Sequence, residues 1–300
     1  MKIGNYHFLC RFKTPARLPY YKGSTFRGVF GRALKRVVCA LRMQECNDCI
    51  LRNQCLYVEV FETPYLPHPF LIEPPLTPQK EYAPESPFDF KLLLFGHVNA
   101  KVAYFVYAFK EMGKVGIGSR VNGQRGLFKV EYVKHQGTVL YDGKEEKITI
   151  LEIPDSVILA PRDFPEEKRV IKVHLITPLR LKYQNRLSPE LPFHILVRAI
   201  LRRLSSLWET YGDGEPELDY QGLVKAAKGV RILEDNISWF DWRRYSFRQD
   251  KAMLMGGVVG SIIYEGNLAP YLPLLELAQV VHIGKQTTFG LGKIAVEILL

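Results

Sequence analysis

The stretch that decides the fold is TPARLPY, residues 14–20, because residues 177–183 repeat it as TPLRLKY. Thr, Pro, Arg, Leu and Tyr coincide, and only two of the seven positions differ. In both copies a threonine precedes a proline, and a residue before proline is held in extended backbone. Neither helix that follows can therefore begin before this turn, and the sequence predicts the same strand end in each half of the chain.

The surroundings of the two turns repeat as well. Residues 25–41, TFRGVFGRALKRVVCAL, place apolar side chains on one helical stripe and most basic side chains off it. Residues 191–208, LPFHILVRAILRRLSSLW, repeat this pattern in the second half. A basic amphipathic helix is therefore predicted after each turn.

The two halves also end alike. A second helix candidate, 102–112 in the first half and 270–281 in the second, leads into a glycine-rich segment and a last strand. Two strand candidates lie between the helices of each half: 55–62 and 88–98, then 243–249 and 254–266. Each half therefore predicts the order βαββαβ. The predicted fold class is α+β, with tandem ferredoxin-like (RRM-like) domains.

The predicted domains are residues 1–155 and 168–300, separated by a segment rich in proline and acidic residues. The first domain carries a cysteine-rich insert, 39–55, and a proline-rich loop, 62–87, which holds eight of the 19 prolines. We expect that segment to be an extended surface loop or a polyproline II excursion.

Charge and composition limit the class of protein. The formal net charge is +10, and an excess of this size favours a polyanionic partner such as nucleic acid, with an ordinary basic surface as the alternative. No segment is apolar enough to span a bilayer or to resemble a signal peptide, so we expect a cytoplasmic protein without membrane partners. In that compartment, cysteines are more often thiols or metal ligands than disulfides.

Four cysteines of the insert have the spacing C-x6-C-x2-C-x5-C. They are Cys39, Cys46, Cys49 and Cys55. Four thiolates with one C-x2-C pair predict a structural zinc site or, alternatively, an iron–sulfur cluster. The remaining alternative is four reduced cysteines in a loop.

The glycine-rich segment 284–293 is not a phosphate-binding P-loop. Thr287 stands where the first glycine is needed, Ile294 follows the lysine, and the segment leads from a helix into a strand. Glycine backbone beside lysines instead suits a phosphodiester chain. The predicted RNA contacts are Gly284, Lys285, Gly290, Gly292 and Lys293. The alternative is a tight turn that requires positive φ.

Two further basic segments are predicted to bind RNA. Cations and aromatic residues alternate over 242–249. This pattern is typical of a strand that binds RNA through charge and base stacking. The alternative is one solvated face of an ordinary strand. The first basic helix adds arginines that lie mostly off its apolar stripe. The predicted contacts are Arg243, Arg244, Tyr245 and Arg248 on the strand and Arg27 and Arg32 on the helix.

Taken together, these motifs resemble those of a CRISPR-associated endoribonuclease of the RAMP superfamily, the class that cuts precursor CRISPR RNA within its repeats. The resemblance is carried by LPYYKGSTFRGVFG, the cysteine insert running into CLYVEVFE, GIGSRVNGQRG, RRYSFRQ and HIGKQTTFGLGKIAVEIL, which span nearly the whole chain. A non-catalytic RAMP subunit of a CRISPR interference complex is the nearest alternative.

The resemblance implies binding of CRISPR repeat RNA and cleavage that needs no metal or other cofactor, with other interference-complex subunits as further partners. The ribose 2′-OH attacks the adjacent phosphorus and leaves a 2′,3′-cyclic phosphate. Members often use a histidine on or near the first helix with a tyrosine and a lysine, but no histidine lies between His7 and His68 here. The candidate catalytic residues are therefore Tyr20, Tyr21, Lys22, Lys35 and Arg36.

Overall fold

The protein is described by a computed structural model. It covers residues 1–149, 157, 168–183, 186–187, 189–246 and 251–299. The chain divides into two compact units, Met1–Val157 and Ile158–Leu300. Most of the predicted segment between the domains lies outside the described residues.

Over its described residues, the first unit contains three α-helices and ten strands. They are β1 (Ile3–Phe12), β2 (Ala16–Arg17), α1 (Gly23–Val38), α2 (Leu56–Phe61), β3 (Phe70–Glu73), β4 (Glu81–Tyr82), β5 (Pro87–Phe95), α3 (Val102–Val115), β6 (Ile117–Val121), β7 (Gln124–Gly126), β8 (Phe128–His135), β9 (Thr138–Asp142) and β10 (Lys147–Ile148). The main sheet has the order β10-β9-β8-β1-β5-β3, and a smaller sheet has the order β4-β2-β6-β7.

Aromatic packing between the main sheet and two helices forms the core of the first unit. Strand β1 buries alternate residues, as period-two patterning predicts, and its Phe8 stacks on Phe90 of β5 at 4.7 Å between ring centroids. Phe30 of α1 stacks on Phe109 of α3 at 4.5 Å. The apolar stripe of α1 is therefore buried, which leaves its basic residues toward the surface or neighbouring elements.

In the part of the second unit that the structure describes, there are three α-helices and six strands. They are β11 (Lys168–Leu179), β12 (Lys182–Tyr183), β13 (Arg186–Leu187), α4 (Phe193–Tyr211), α5 (Tyr220–Ala226), β14 (Arg231–Ser246), β15 (Lys251–Asn267), α6 (Leu272–Val281) and β16 (Ile294–Ile298). Its main sheet has the order β14-β15-β11-β16. In the first unit, the strands of the βαββαβ order are β1, β3, β5 and β8. They lie side by side in the order β8-β1-β5-β3, which is the arrangement of β16, β11, β15 and β14 in the second unit. The prediction of tandem ferredoxin-like domains is confirmed.

Two element predictions in the first unit are wrong. Residues 55–62 were expected to be a strand, but Leu56–Phe61 form the helix α2. The strand that takes this place is β3, Phe70–Glu73, inside the loop 62–87 that we expected to be a surface excursion. Phe70, Leu71 and Ile72 are all fully buried, so their packing overrides the prolines around them.

Candidate nucleic-acid interface

The repeated Thr-Pro turn fastens the glycine-rich segment of each unit. In the first unit, the Thr14 hydroxyl donates to the Arg125 carbonyl at 3.3 Å and accepts from the Leu127 amide at 2.8 Å. In the second, the Thr177 hydroxyl donates to the Gly290 carbonyl at 2.8 Å and accepts from the Lys293 amide at 2.9 Å. The same side chain thus holds both backbone partners in each copy, which explains the repeat in the sequence.

The arginine of each turn is approached closely by a glycine. A Cβ on Gly118 would lie 2.2 Å from the carbonyl oxygen of Arg17, and a Cβ on Gly284 would lie 2.6 Å from that of Arg180. Both glycines have positive φ, +82° and +84°. Glycine is therefore needed at both positions for two reasons: a Cβ would clash with the arginine carbonyl, and positive φ is unfavourable for residues with a side chain.

The backbone of Gly290 and Gly292 is engaged within the protein, and their predicted contact with RNA stays a prediction. Both residues are buried, the Gly292 amide donates to the Pro178 carbonyl at 3.1 Å, and Gly290 is held by Thr177. Their alternative reading as tight-turn glycines fits this arrangement, since φ is +81° and +75°. The two glycines shape the loop. A ligand can reach the other side chains of the loop and the residues around it.

Cations gather around this loop in the second unit. Lys285 is exposed, and its pKa is lowered first by partial burial and then by the positive charges of Lys182, Arg202 and Arg180. Lys182 and Arg202 are also exposed, on β12 and α4. Like charges held this close favour an anionic ligand, so we define Lys285, Lys182, Arg202 and Arg180 as the loop cluster. Sequence analysis found Lys285 and missed the other three cations, which lie on separate elements.

In the second unit, strands β14 and β15 extend beyond the main sheet as a two-stranded ribbon. Strand β14 pairs with β15 from Arg231 to Ser246, whereas β11 is paired with β15 only as far as Val258. Phe240 and Trp242 stack on one another at 5.8 Å along the ribbon. Arg243, Arg244 and Tyr245 lie on β14, but their side chains and Arg248 lie outside the described residues, so their predicted RNA contacts stay predictions.

The five candidate catalytic residues do not form one site. Lys22 precedes α1, and Lys35 lies near its end, so 13 residues of helical rise separate them by about 20 Å. Lys22 is fully buried, and its ammonium donates to the carbonyls of Thr77 at 2.6 Å and Tyr20 at 3.3 Å. Lys22 therefore holds the turn before α1 in this structure, and its predicted role in stabilising charge on RNA stays a prediction.

The two tyrosines of this turn have different environments. Burial, together with the negative charge of Glu73, raises the pKa of Tyr21 well above its ordinary value. Tyr20 is 54% exposed, so its phenol is the one that an RNA ligand can reach. Tyr20 is thus the more accessible of the predicted pair, and proton transfer by either tyrosine stays a prediction.

The basic residues of α1 point in two directions. The Lys35 ammonium lies 5.4 Å from the ring centroid of Tyr57, and the Arg27 guanidinium lies 5.0 Å from that of Phe61. His68 also reaches this side, with Nε2 3.5 Å from Arg27. A histidine therefore lies beside the first helix although none lies on it, and its distance along the chain hid this from sequence analysis.

Arg32 and Arg36 occupy the other side of α1, where they line a cavity with the β6–β7 hairpin and the end of α3. Both side chains are exposed. The pKa of Arg32 is lowered first by partial desolvation and then by the positive charge of Arg125. Arg36 is thus grouped with Arg32, apart from the tyrosines with which it was predicted to act.

The four cysteines of the insert are half-buried and reduced. Cys39, Cys49 and Cys55 line a cavity of about 400 Å³ together with Lys101 and Tyr104. Across the residues that the structure describes, however, no three His, Cys, Asp or Glu side chains are placed to hold a metal ion. The arrangement as it stands does not support the predicted metal site, and zinc remains a proposal based on cysteine spacing.

Over the same residues, every helix is too short or too polar to cross a lipid bilayer.

Comparison with known proteins adds a family to this geometry. Residues 1–153 match the AF_1859_N family model, described as an N-terminal domain. Residues 173–294 match the model described as CRISPR-associated endoribonuclease Cas6. An uncharacterized protein from Archaeoglobus fulgidus is 25% identical over 292 residues, which cover 92% of this chain and 91% of that protein.

Solved structures share the fold at low sequence identity. A Cas6 product complex covers 98% of this chain and 100% of its own, with a TM-score of 0.59 and 13% identity. Thermus thermophilus Cas6 covers 99% and 98%, with a TM-score of 0.55 and 12% identity. A partial Cas6-RT-Cas1–Cas2 complex matches all of this chain with a TM-score of 0.57 and 16% identity. This chain spans only 46% of that larger chain.

The two family matches follow one another along the chain and agree with the RAMP resemblance of the sequence. The chain belongs to the AF_1859_N family, whose model matches residues 1–153, and its residues 173–294 are similar to the CRISPR-associated endoribonuclease Cas6 model.

Proposed function

We propose that this chain binds CRISPR repeat RNA and cuts precursor CRISPR RNA within its repeats. The single observation that carries the proposal is the loop cluster, which concentrates cations on the glycine-rich loop inside the Cas6 family match. Lysine and arginine side chains placed together bind successive phosphates and make the binding sensitive to salt. The ribbon with Phe240 and Trp242 adds aromatic surface on which unpaired bases can stack.

The proposed cleavage is attack of a ribose 2′-OH on the adjacent phosphorus. The O–P bond to the 2′ oxygen forms, the bond to the 5′ oxygen breaks, and the products are a 2′,3′-cyclic phosphate and a 5′-OH. A base takes the 2′-OH proton, an acid returns a proton to the leaving oxygen, and cations stabilise the charged phosphorane. No metal ion or other cofactor takes part in this proposed route.

Residues of the chain can be proposed for two of these tasks. The ammonium of Lys285, surrounded by other cations, supplies positive charge where a phosphate binds. Tyr20 supplies an exposed phenol for proton transfer or for orienting the RNA. His68, on the Arg27 side of α1, is the further candidate for proton transfer.

The proposal is tested with purified protein and a repeat RNA from an adjacent CRISPR array. In EDTA, we expect one cut per repeat, and a single 2′-deoxy substitution at the cut site should abolish it while binding is retained. A requirement for Mg²⁺, or cutting of the 2′-deoxy RNA, would refute the mechanism. Tyr20→Phe and His68→Gln then assign proton transfer by their single-turnover rates.

A second candidate function is a non-catalytic RNA-binding subunit of a CRISPR interference complex. The specific observation in its favour is that α1 carries no histidine. This candidate predicts salt-sensitive RNA binding without any product, and purification together with other complex subunits. We therefore propose such subunits as further partners, to be identified by mass spectrometry of the native complex.

A further inference from the structure

A second cationic site lies within the first unit. It is a cavity of about 570 Å³ between α1, the end of α3 and the β6–β7 hairpin. Its cationic residues come from all three elements: Arg32, Arg36, Lys114, Arg120 and Arg125. Because several segments build it, the cavity depends on the folded unit and is not a run of charge along one helix.

The charge of the cavity is strongly unbalanced. Five cations line it, against the single carboxylate of Glu111, for a net formal charge of +4. That carboxylate is already engaged, because its Oε1 accepts from the Lys114 ammonium at 2.6 Å. The closeness of Arg32 to Arg125 carries a repulsive cost. A bound anion would relieve this repulsion.

The hairpin that carries Arg120 and Arg125 is rigidly built. Its two-residue turn is Asn122-Gly123, with φ of +50° and +80°, the pattern of a tight β-hairpin. Gly118 lies against the Arg17 carbonyl, and Thr14 holds the far end of the hairpin. The backbone that carries the two arginines is therefore fixed beside α1 before any ligand arrives.

The interior of the cavity also has an apolar part. Val29 and Ala33 of α1 are buried there, and Val115 and Leu127 complete the lining. An apolar floor beneath guanidinium groups suits a nucleobase, which stacks on arginine planes, while the fork of a guanidinium matches a phosphate. The volume falls within the range of small-ligand sites.

We infer that this cavity binds one unpaired nucleotide of the RNA, with its base on the apolar floor and its phosphate between the arginines. The inference rests on the proposed function, because it assumes that RNA is the ligand, and it goes further by naming a second contact in the first unit. It parallels the second unit, where a basic helix also meets a glycine-rich segment at a cationic cluster.

The test compares two double variants. Arg32→Gln with Arg120→Gln removes two exposed cations from the cavity rim, whereas Arg17→Gln with Lys80→Gln removes two exposed cations from β2 and its neighbourhood. Binding of single-stranded repeat RNA is measured by fluorescence anisotropy from 50 to 300 mM salt. Losing the one phosphate contact of the bound nucleotide should reduce the slope of log K against log salt by about 0.7. We expect at least a tenfold loss of affinity for the cavity variant and less than threefold for the control.

A second readout locates the ligand. RNA with 4-thiouridine at unpaired positions should cross-link to peptides from residues 114–127 of the wild-type protein, and the cavity variant should lose this cross-link. Equal slopes for both double variants, or cross-links only to peptides outside the first unit, would overturn the inference while leaving RNA binding intact. If wild-type protein binds no RNA but binds an acidic peptide, both the inference and the proposed function fail.

Discussion

A matched pair of glycine substitutions in the β6–β7 hairpin tests how the glycine-rich segments are built. Gly118 and Gly123 have nearly the same φ, +82° and +80°. A Cβ on Gly118 would lie 2.2 Å from the Arg17 carbonyl oxygen and 2.8 Å from Leu18 Cδ2, whereas a Cβ on Gly123 would meet nothing within 4 Å. Alanine at either position therefore has the same conformational cost, and only Gly118→Ala adds a clash with backbone.

The magnitudes follow from these two terms. Left-handed backbone costs an alanine roughly 1–2 kcal/mol, and overpacking adds about 1–3 kcal/mol. We expect Gly123→Ala to lower the free energy of unfolding of the first unit by about 1–2 kcal/mol. Gly118→Ala should lower it by about 2–5 kcal/mol, because the hairpin must move away from β2.

The assay must report on the first unit alone. All three tryptophans, at positions 208, 239 and 242, lie in the second unit, so tryptophan fluorescence is unsuitable. Hydrogen exchange in urea, read by mass spectrometry on peptides of residues 1–149, gives the free energy of unfolding of this unit. If the two variants differ by less than about 0.5 kcal/mol, the hairpin is not pinned to β2 as described.

Three further predictions concern side chains elsewhere. Lys22→Met should lower the melting temperature, since two partly buried carbonyls lose their donor at a cost of about 1 kcal/mol. The RNA cleavage rate of folded protein should be unchanged. A lower rate without a stability change would show that Lys22 acts in catalysis. Hydrogen bonding with Arg11 at 2.8 Å lowers the pKa of Glu131 below its ordinary 4.5, so this pair stabilises the fold above that pH and its contribution is lost as the pH falls. Glu131→Gln should then destabilise by at most about 1 kcal/mol in urea unfolding at pH 7 and by nothing measurable near pH 2, while an equal effect at both pH values would contradict the ion pair. If the insert cysteines bind zinc, elemental analysis after purification without chelators should give about one zinc per chain, and serine substitutions should remove it, whereas metal-free wild-type protein would end that proposal.

The spacing of apolar residues predicted most of the architecture, because long strands and helices show a clear period of burial. Strand β1 buries every second residue, and the 16-residue helix α1 buries a continuous stripe. The six-residue α2 is too short to show a helical period, and its buried residues, Leu56, Val58 and Val60, alternate as in a strand. Strand β3 is buried on both faces between prolines, so neither alternation nor turn signals separate it from a loop.

The candidate site was less predictable, since it depends on contacts across the chain. The Thr-Pro repeat indicated that Thr14 and Thr177 have the same role, but what they bind lies more than 100 residues away. Lys22 looked like a functional cation until its burial against Thr77 was known. The loop cluster escaped notice because its members are adjacent only after folding.

Mass spectrometry of the 5′ fragment from a single-turnover reaction with repeat RNA tests the central claim most directly. The account predicts one discrete fragment ending in a 2′,3′-cyclic phosphate, formed in EDTA at a rate that falls with Lys285→Gln. A fragment ending in a free 3′-OH, or tightly bound RNA that stays intact, would contradict the claim that this chain is a processing endoribonuclease.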